Sequence, residues 1–472
     1  MQDLLKKKIL EYRNLIKRYH KKKDEEKFLQ SIEDYYSFIN KFRNLSIRVY
    51  DDIKVSKLFD DFFKFKSKNL KKTSEKKVFY LGVVIVNSND TGGASVLKRF
   101  IDKKLIINNK KIITKVLELQ EDVKKFRNSG GYVYAVKNFK KNYLLKSINK
   151  KKQIEKSNIV NNWFIKNKID FCFSTHHPFV ISSVKKSDVL VHGVLTQDHH
   201  AFSPFPNVGD LSFFLCHEQI FKYETKPKKY LITGLPNYDK SFLEKAKPYK
   251  RQRFKLPKKS IISATTNLEK CLIGNNLFFL KIIGSLLRKN KNYIHIFIGT
   301  PRCKNILEDF LNKNKDLKKR MIYVGPLKNI FRMFKMIDFY INSFPISGGS
   351  SIEAGFVKKP SVDFIWDKDL SIHPIQIYSN PQTTAYNLED FFNICQKLIE
   401  SKKFREFNGL VAFNTLKGFD DKKKVFYKIC KSYLNVYFDK TKLKNEKNYD
   451  TLMGSIIKRE IKQKLANLNN NS

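Results

Sequence analysis

Short, unbroken apolar runs, each followed by a turn and then by a stretch of helical spacing, constrain this chain more than any other feature. The first is VFYLGVVIV, Val78–Val86. A run that is apolar at every position has no face to offer water. It needs cover on both sides, which parallel strands receive from crossover helices. Five more runs follow at Tyr132–Val136, Phe171–Thr175, Val189–Leu195, Leu211–Cys216 and Tyr230–Gly234, with helices expected through Lys103 and near Ile154–Asn167. A second series reads Ser260–Ala264, Tyr293–Gly299, Met321–Gly325, Asp338–Asn342 and Ser361–Ile365. Between the two series, Leu235–Pro257 holds three prolines and many basic residues without a strand pattern, and reads as a linker.

The pattern predicts an α/β protein of two tandem, doubly wound, Rossmann-like domains facing a cleft. Its 472 residues exceed what one core organises. The expected divisions are 1–75, a helical extension with Leu5, Ile9, Tyr12 and Ile16 at helical spacing; 76–235, the first domain; 236–257, the linker; 258–415, the second domain; and 416–472, C-terminal helices with a basic tail. Ligands of such sheets bind beyond the carboxyl ends of the strands, so the loops there are where chemistry is expected.

The formal charge of +48 raises the question of nucleic acid, which basic surfaces attract by counterion release. Lys far outnumbers Arg, however, and the lysine groups run along the whole chain, as at Lys6–Lys8, Lys21–Lys23 and Lys422–Lys424. A solvated, compositionally driven surface ranks first, an anionic membrane or acidic glycan second, and nucleic acid last, since no base-reading motif accompanies the charge. The six cysteines stand singly, mostly within apolar runs, and read as free thiols of a reducing compartment. No signal-peptide core or membrane-spanning run is visible, so the expectation is a cytoplasmic protein that rests, at most, on the inner membrane face.

The strongest chemical signal is I-S-G-G-S-S-I-E, Ile346–Glu353, between the run Asp338–Asn342 and a helix. Gly348 and Gly349 let backbone N–H groups come close to an anion, and Ser350, Ser351 and the helix start add donors. Glu353, about one turn into the helix, suits the paired hydroxyls of a ribose. Lys359-Pro360-Ser361-Val362 then turns into the next strand. The segment resembles the donor-binding motif of GT-B glycosyltransferases, in which a Gly/Ser-rich turn, Glu-Ala and a later Gly-x-Pro-x-Val hold a nucleotide diphosphate-sugar. Lys358 stands where that family has a small residue, and Pro345 stands where retaining members carry a glutamate eight residues before Glu353. The second departure points to an inverting outcome. A plain glycine-rich β–α turn is the alternative for this segment.

Three other loops of the second series fit the resemblance. Ser263–Lys270 follows its first strand, and Lys270 would neutralise a departing diphosphate or else be a surface lysine. Gly299-Thr300-Pro301 and Gly325-Pro326-Leu327 would hold the base and its ribose, with Thr300 and Leu327 as contacts, or be ordinary turns. In the first series, Asn89–Ser95 opens a helix, and Asp90 is either a general base or a helix cap. Five of the nine histidines fall between residues 176 and 200: His176, His177, His192, His199 and His200, all read as standing at or after strand ends. Imidazole suits removal of a proton from an acceptor hydroxyl. Val191-His192-Gly193 and the later Thr233-Gly-Leu-Pro-Asn-Tyr-Asp239 also resemble CDP-glycerol glycerophosphotransferases, in which the histidine is the base. That resemblance makes His192 the first candidate, with Asp90 and Asp198 in reserve.

The reading is a GT-B glycosyltransferase, inverting and metal-independent, that needs no cofactor beyond its nucleotide-sugar donor. The acceptor would be a glycan, a lipid-linked or a protein hydroxyl. The first domain would bind the acceptor and the second the donor. The rivals are a CDP-glycerol-type glycerophosphotransferase, a nucleotide-sugar epimerase of the same fold, and a non-enzymatic polyanion-binding protein.

Overall fold

The computed structural model describes residues 2–42, 52–63, 75–87, 101–127, 130–175, 177–196, 210–214, 230–232, 246–266, 268–272, 277–299, 304–327, 329–344, 350–364, 380–416 and 422–438. The chain divides into two compact units. One comprises Met1–Lys41, Arg48–Pro236 and Lys422–Ser472, and the other Phe42–Ile47 with Asn237–Asp421.

The first unit is built on an eight-stranded sheet of β1 (Val78–Val86), β2 (Lys104–Ile107), β3 (Lys110–Gln120), β4 (Tyr143–Ser147), β5 (Phe171–Ser174), β6 (Val191–Thr196), β7 (Leu211–Phe214) and β8 (Tyr230–Ile232), ordered β2-β3-β1-β5-β6-β7-β8 with β4 also on β3. Every pairing is parallel except β2 with β3. One face packs Phe79, Phe171, Phe173 and Phe213 against Val425, Phe426, Ile429 and Tyr433 of the helix Lys422–Tyr437. The other packs Val84, Leu117 and Cys172 against Trp163 and Phe179 of the helices Gln153–Asn167 and Pro178–Lys186. Each buried aliphatic or aromatic side chain contributes about 1.5–3 kcal/mol, so the returning C-terminal helix is a full partner in this core.

In the first sheet the sequence pattern misplaced one strand and missed three, and in the second sheet it missed the short strand Thr384–Ala385. Tyr132–Val136 lies within a helix, Gly130–Phe139, because Ala135 and Phe139 point into the core at helical spacing and decide the matter over the β-branched residues. β2 and β3 form a hairpin whose two turn residues, Asn108 and Asn109, have φ of 46° and 61°, as a tight twisted turn requires. Their lysines conceal the strand signal. Glu118 of β3 is buried and accepts from Tyr143 Oη at 2.7 Å and Gln120 Nε2 at 3.0 Å. Ile101–Lys103 is not helical, and the rest of the helix expected before it lies outside the described residues.

The helices Gln2–Lys22, Glu25–Phe42 and Ile53–Phe62 form a separate cluster around Ile16, Phe28, Tyr35 and Phe59, joined to the α/β layer through Ile181. Glu26 accepts from the backbone N–H groups of Gln153 (3.1 Å) and Ile154 (2.8 Å), capping a helix of the next layer. Lys185 pairs with Asp60 and Lys186 with Glu25.

The second unit has six strands, all parallel: β9 (Ile261–Thr266), β10 (Tyr293–Ile298), β11 (Met321–Tyr323), β12 (Phe339–Ile341), β13 (Ser361–Phe364) and β14 (Thr384–Ala385), in the order β11-β10-β9-β12-β13-β14. Counted along the chain this is 3-2-1-4-5-6, the doubly wound dinucleotide-binding order. Its core gathers Leu280, Ile283 and Leu287 of the helix Phe278–Lys289 with Phe297, Phe339 and Phe391.

Gly193 of β6 shows how tightly the C-terminal helix seats. A Cβ there would overlap the Tyr433 ring and Phe213, while Tyr433 Oη donates to the Cys172 carbonyl at 2.5 Å. Gly193→Ala should therefore cost about 1–3 kcal/mol, seen as a lower urea midpoint. An unchanged midpoint would contradict this account of the contact.

Candidate functional site

The switch point of the second sheet lies between β9 and β12, where crossovers leave in opposite directions, and it is beyond the carboxyl ends at such a point that sheets of this kind bind ligands. Tyr340 of β12 joins the two strands there. Its buried hydroxyl lies 2.7 Å from Thr266 Oγ1 and accepts from the Thr266 N–H at 3.3 Å, at the very end of β9. Ser350, the first residue of the helix Ser350–Phe356, lies near enough to this phenol to act on its pKa. Burial holds the phenol well above its ordinary range, against the pull of the Thr266 bonds and of nearby Ser350, so it stays a neutral donor. Thr265 Oγ1 donates to the Ile341 carbonyl at 2.7 Å, and Asn342 Nδ2 to Asp363 Oδ1 at 2.6 Å, fixing where the chain leaves β12.

Ser350 is half-buried, Ser351 buried, and Glu353 lies half-buried in the first turn of the same helix. Ser361 Oγ reaches the Ser351 carbonyl at 3.3 Å, tying the helix to β13. The helix ends with the N–H of Lys359 on the Ala354 carbonyl and that of Lys358 on the Gly355 carbonyl, a Schellman arrangement. Lys358 is its left-handed residue, with φ of 59°, which explains why a small residue is usual there. Lys270 falls in the short helix Leu268–Cys271 after β9. Beyond β10 and β11, Gly299 N–H meets the Gly325 carbonyl at 3.2 Å, and half-buried Leu327 follows Gly325, whose φ is 70°. Thr300, Gly348 and Gly349 lie outside the described residues, as do Asp90, Asp198, His176, His199 and His200.

In the first unit the switch point lies between β1 and β5. His192 is the second residue of β6, not at its carboxyl end, and is 3% exposed. That corrects the expectation that it stands at or after a strand end. Its Nε2 is 2.9 Å from Ser174 Oγ, and its backbone N–H donates to Asp210 Oδ2 at 2.7 Å. Burial, helped by nearby Lys185, lowers its pKa to about 3. His295 of β10 is likewise sealed, with Nδ1 2.6 Å from Ser263 Oγ, Nε2 unpartnered, and a pKa lowered to about 3 by burial.

No family model matches the sequence, and no curated protein matches it. Solved structures do match in fold. A mutant O-GlcNAc transferase of Thermobaculum terrenum aligns at TM-score 0.53 and 12% identity, over 91% of this chain and 82% of its own. Anabaena HepE, solved with UDP and glucose, aligns at 0.55 and 10%, over 75% and 99%. A UDP-N-acetylglucosamine 2-epimerase aligns at 0.50 and 11%, over 78% and 98%. The fold is GT-B. Transferases and an epimerase share it, so the GT-B architecture fixes where a ligand is sought but not which reaction follows.

Sequence reasoning missed Tyr340 and gave Thr266 no role. The one signal for either was a hydroxyl inside an otherwise apolar strand run. Among the described residues no cluster of His, Cys, Asp and Glu could hold a metal ion.

The two sealed imidazoles make stability pH-dependent. Their folded pKa values lie below the unfolded value near 6.5, so the stabilisation is full above pH 6.5 and drains away as pH falls toward about 3. At pH 5 each should have lost about 2 kcal/mol. Melting at pH 5 should therefore begin well below melting at pH 7, and His295→Asn should shrink the gap. A midpoint that holds or rises at pH 5 would disprove the sealing.

Proposed function

We propose that this chain is a glycosyltransferase that moves a sugar from a nucleoside-diphosphate donor to a glycan, lipid-linked or protein hydroxyl, with inversion and without a metal. The observation that carries this reading is the coincidence of two independent features. The glycine- and serine-rich motif read from the sequence leads into the helix Ser350–Phe356, which follows the switch-point strand β12 of a 3-2-1-4-5-6 sheet in a GT-B fold. The UDP and glucose held by Anabaena HepE support a donor of the same class. Backbone N–H groups of Gly348 and Gly349, with Ser350 and Ser351, would face the diphosphate, Glu353 the ribose, Lys270 the leaving phosphates, and Thr300 and Leu327 the base. Tyr340 would hold the start of this helix against the end of β9, keeping the donor groups in place before the donor arrives.

The proton of the acceptor hydroxyl must go to a group that the acceptor can touch. The sealed, strand-embedded imidazole of His192 favours Asp90 or Asp198 for that step, with His192 bracing Ser174 from within the sheet. Buried free thiols at Cys172, Cys271, Cys395 and Cys430 suit a reducing, cytoplasmic setting. The epimerase match supports a second reading, in which the donor is turned over with no acceptor present.

A thermal-shift panel of nucleoside diphosphates and nucleotide sugars tests the donor assignment, because a ligand at 100 times its Kd adds about 2.7 kcal/mol. At least one should raise the midpoint. Silence across the panel would overturn the assignment, and donor isomerisation without acceptor would select the epimerase. Tyr340→Phe should weaken the responding ligand about fivefold to tenfold, the worth of one buried hydrogen bond. In transfer assays Asp90→Asn or Asp198→Asn should lose about a hundredfold or more in kcat, and His192→Gln far less. A dominant His192 effect with stability intact would return the base to that residue.

A further inference from the structure

We infer that Glu33 is a pH-sensitive latch between the N-terminal helical layer and the helix Gln153–Asn167, holding when it carries a proton and loosening when it is ionised. The helix Glu25–Phe42 meets Gln153–Asn167 in register. Glu26 accepts from the backbone N–H groups of Gln153 and Ile154, and Gln30 Oε1 accepts from Gln153 Nε2 at 3.3 Å. One turn further along each helix, Glu33 and Lys156 feel each other's charge. Here the polar pairing stops. Glu33 Oε2 is sealed from solvent and, among the described residues, no donor reaches it, so Lys156 acts on it by charge alone. One turn back on the partner helix, the buried Oε1 of Gln153 lacks a donor as well.

The charges that face Glu33 come from three elements: Asp34 of its own helix, Lys156 of the partner helix, and Glu121, which follows β3. Two of the three are acidic. Glu121 is held at the carboxyl edge of the first sheet by Asn87, whose Nδ2 donates to it at 3.3 Å and whose Oδ1 accepts from its backbone N–H at 3.0 Å. An ionised carboxylate enclosed among these groups gives up its water and gains no donor in return, a cost that protonation removes. Burial raises the Glu33 carboxyl to about 7, against the pull of Lys156 and with the push of Asp34 and Glu121. Its ordinary value is 4.5, so the docked layer favours the acid form. That preference is fully felt below about pH 4.5 and is lost as pH rises to about 7, which shifts docking about tenfold toward the open form between pH 6 and pH 8. The sealed imidazoles act in the opposite direction. Lys185 with Asp60, Lys186 with Glu25, and Ile181 hold the layer elsewhere, so the loosening is local. It falls at the carboxyl edge of β3, next to β1, the edge on which a parallel sheet meets its ligands.

Amide hydrogen exchange of the full chain, corrected for the intrinsic pH dependence of exchange, tests the inference. In the wild type, protection across Glu25–Phe42 and at the amides of Gln153 and Ile154 should fall about tenfold from pH 6 to pH 8. Protection in β9 and β10 of the other unit should not fall. Glu33→Gln, which keeps the shape and removes the charge, should hold its pH 6 level through pH 8. Lys156→Gln removes the cation that favours the ionised form and should enlarge the fall. Glu26→Gln weakens the neighbouring helix cap and should lower protection alike at both pH values. Protection that stays level from pH 6 to pH 8 in the wild type would overturn the inference. So would an equal fall in Glu33→Gln, a smaller fall in Lys156→Gln, or a fall that Glu26→Gln abolishes.

Discussion

Each strand of a parallel sheet presents side chains to two faces, and both must be taken out of water by helices, whether from the sheet's own crossovers or from distant parts of the chain. In the first unit the crossovers cover one face with the helices Gln153–Asn167 and Pro178–Lys186. The other face is completed largely by the helix Lys422–Tyr437, whose Tyr433 occupies the space left by Gly193. The N-terminal helices form a further layer, fastened by Ile181, by the Glu26 cap and by two ion pairs. The polar residues of the middle strands then have to be satisfied within the sheet, which is how Ser174 and His192 come to be partners.

The same winding creates the site. Because β10 and β11 lie on one side of β9 while β12, β13 and β14 lie on the other, the crossovers after β9 and β12 run to opposite sides, and sheets wound in this way have room for a ligand at the carboxyl ends there. A crevice of this kind would be loose without a tie across its floor. Tyr340 of β12 and Thr266 at the end of β9 form that tie, with Ser350 at the helix start close by. The phenol stays neutral because it is buried, so it can donate steadily while its oxygen accepts.

Much of this was legible in the sequence where one physical signal dominated. Unbroken apolar runs marked β1, β5, β6 and every strand from β9 to β13, since burial on both faces leaves no alternation to misread. Where signals competed, the reading failed. β3 contains Lys110, Lys111, Lys115 and Glu118, and its membership of the sheet rests on an Asn-Asn turn and on bonds from Tyr143 and Gln120 that only folding brings together. The helix Gly130–Phe139 has strand-like composition because exposed Val133, Tyr134 and Val136 stand among its buried residues Ala135 and Phe139. At the site, Ser350 and Glu353 were legible from glycine-turn chemistry. The burial of His192 was not, because a histidine beside a glycine reads alike whether the glycine opens a ligand loop or, as here, admits a tyrosine ring on the opposite face.

The route of the chain has a consequence for its synthesis. The first unit owns both ends of the described chain, and the second lies in sequence between them. During translation the strands β1 to β8 leave the ribosome long before Val425, Phe426, Ile429 and Tyr433, so the sheet must wait with one apolar face incomplete while the second unit is made and folds. The second unit can therefore reach its native state first, although it is encoded later. A released chain cut short just before Lys422 would hold a complete second unit and a first one with an uncovered, adhesive face, the species most exposed to chaperones and proteases.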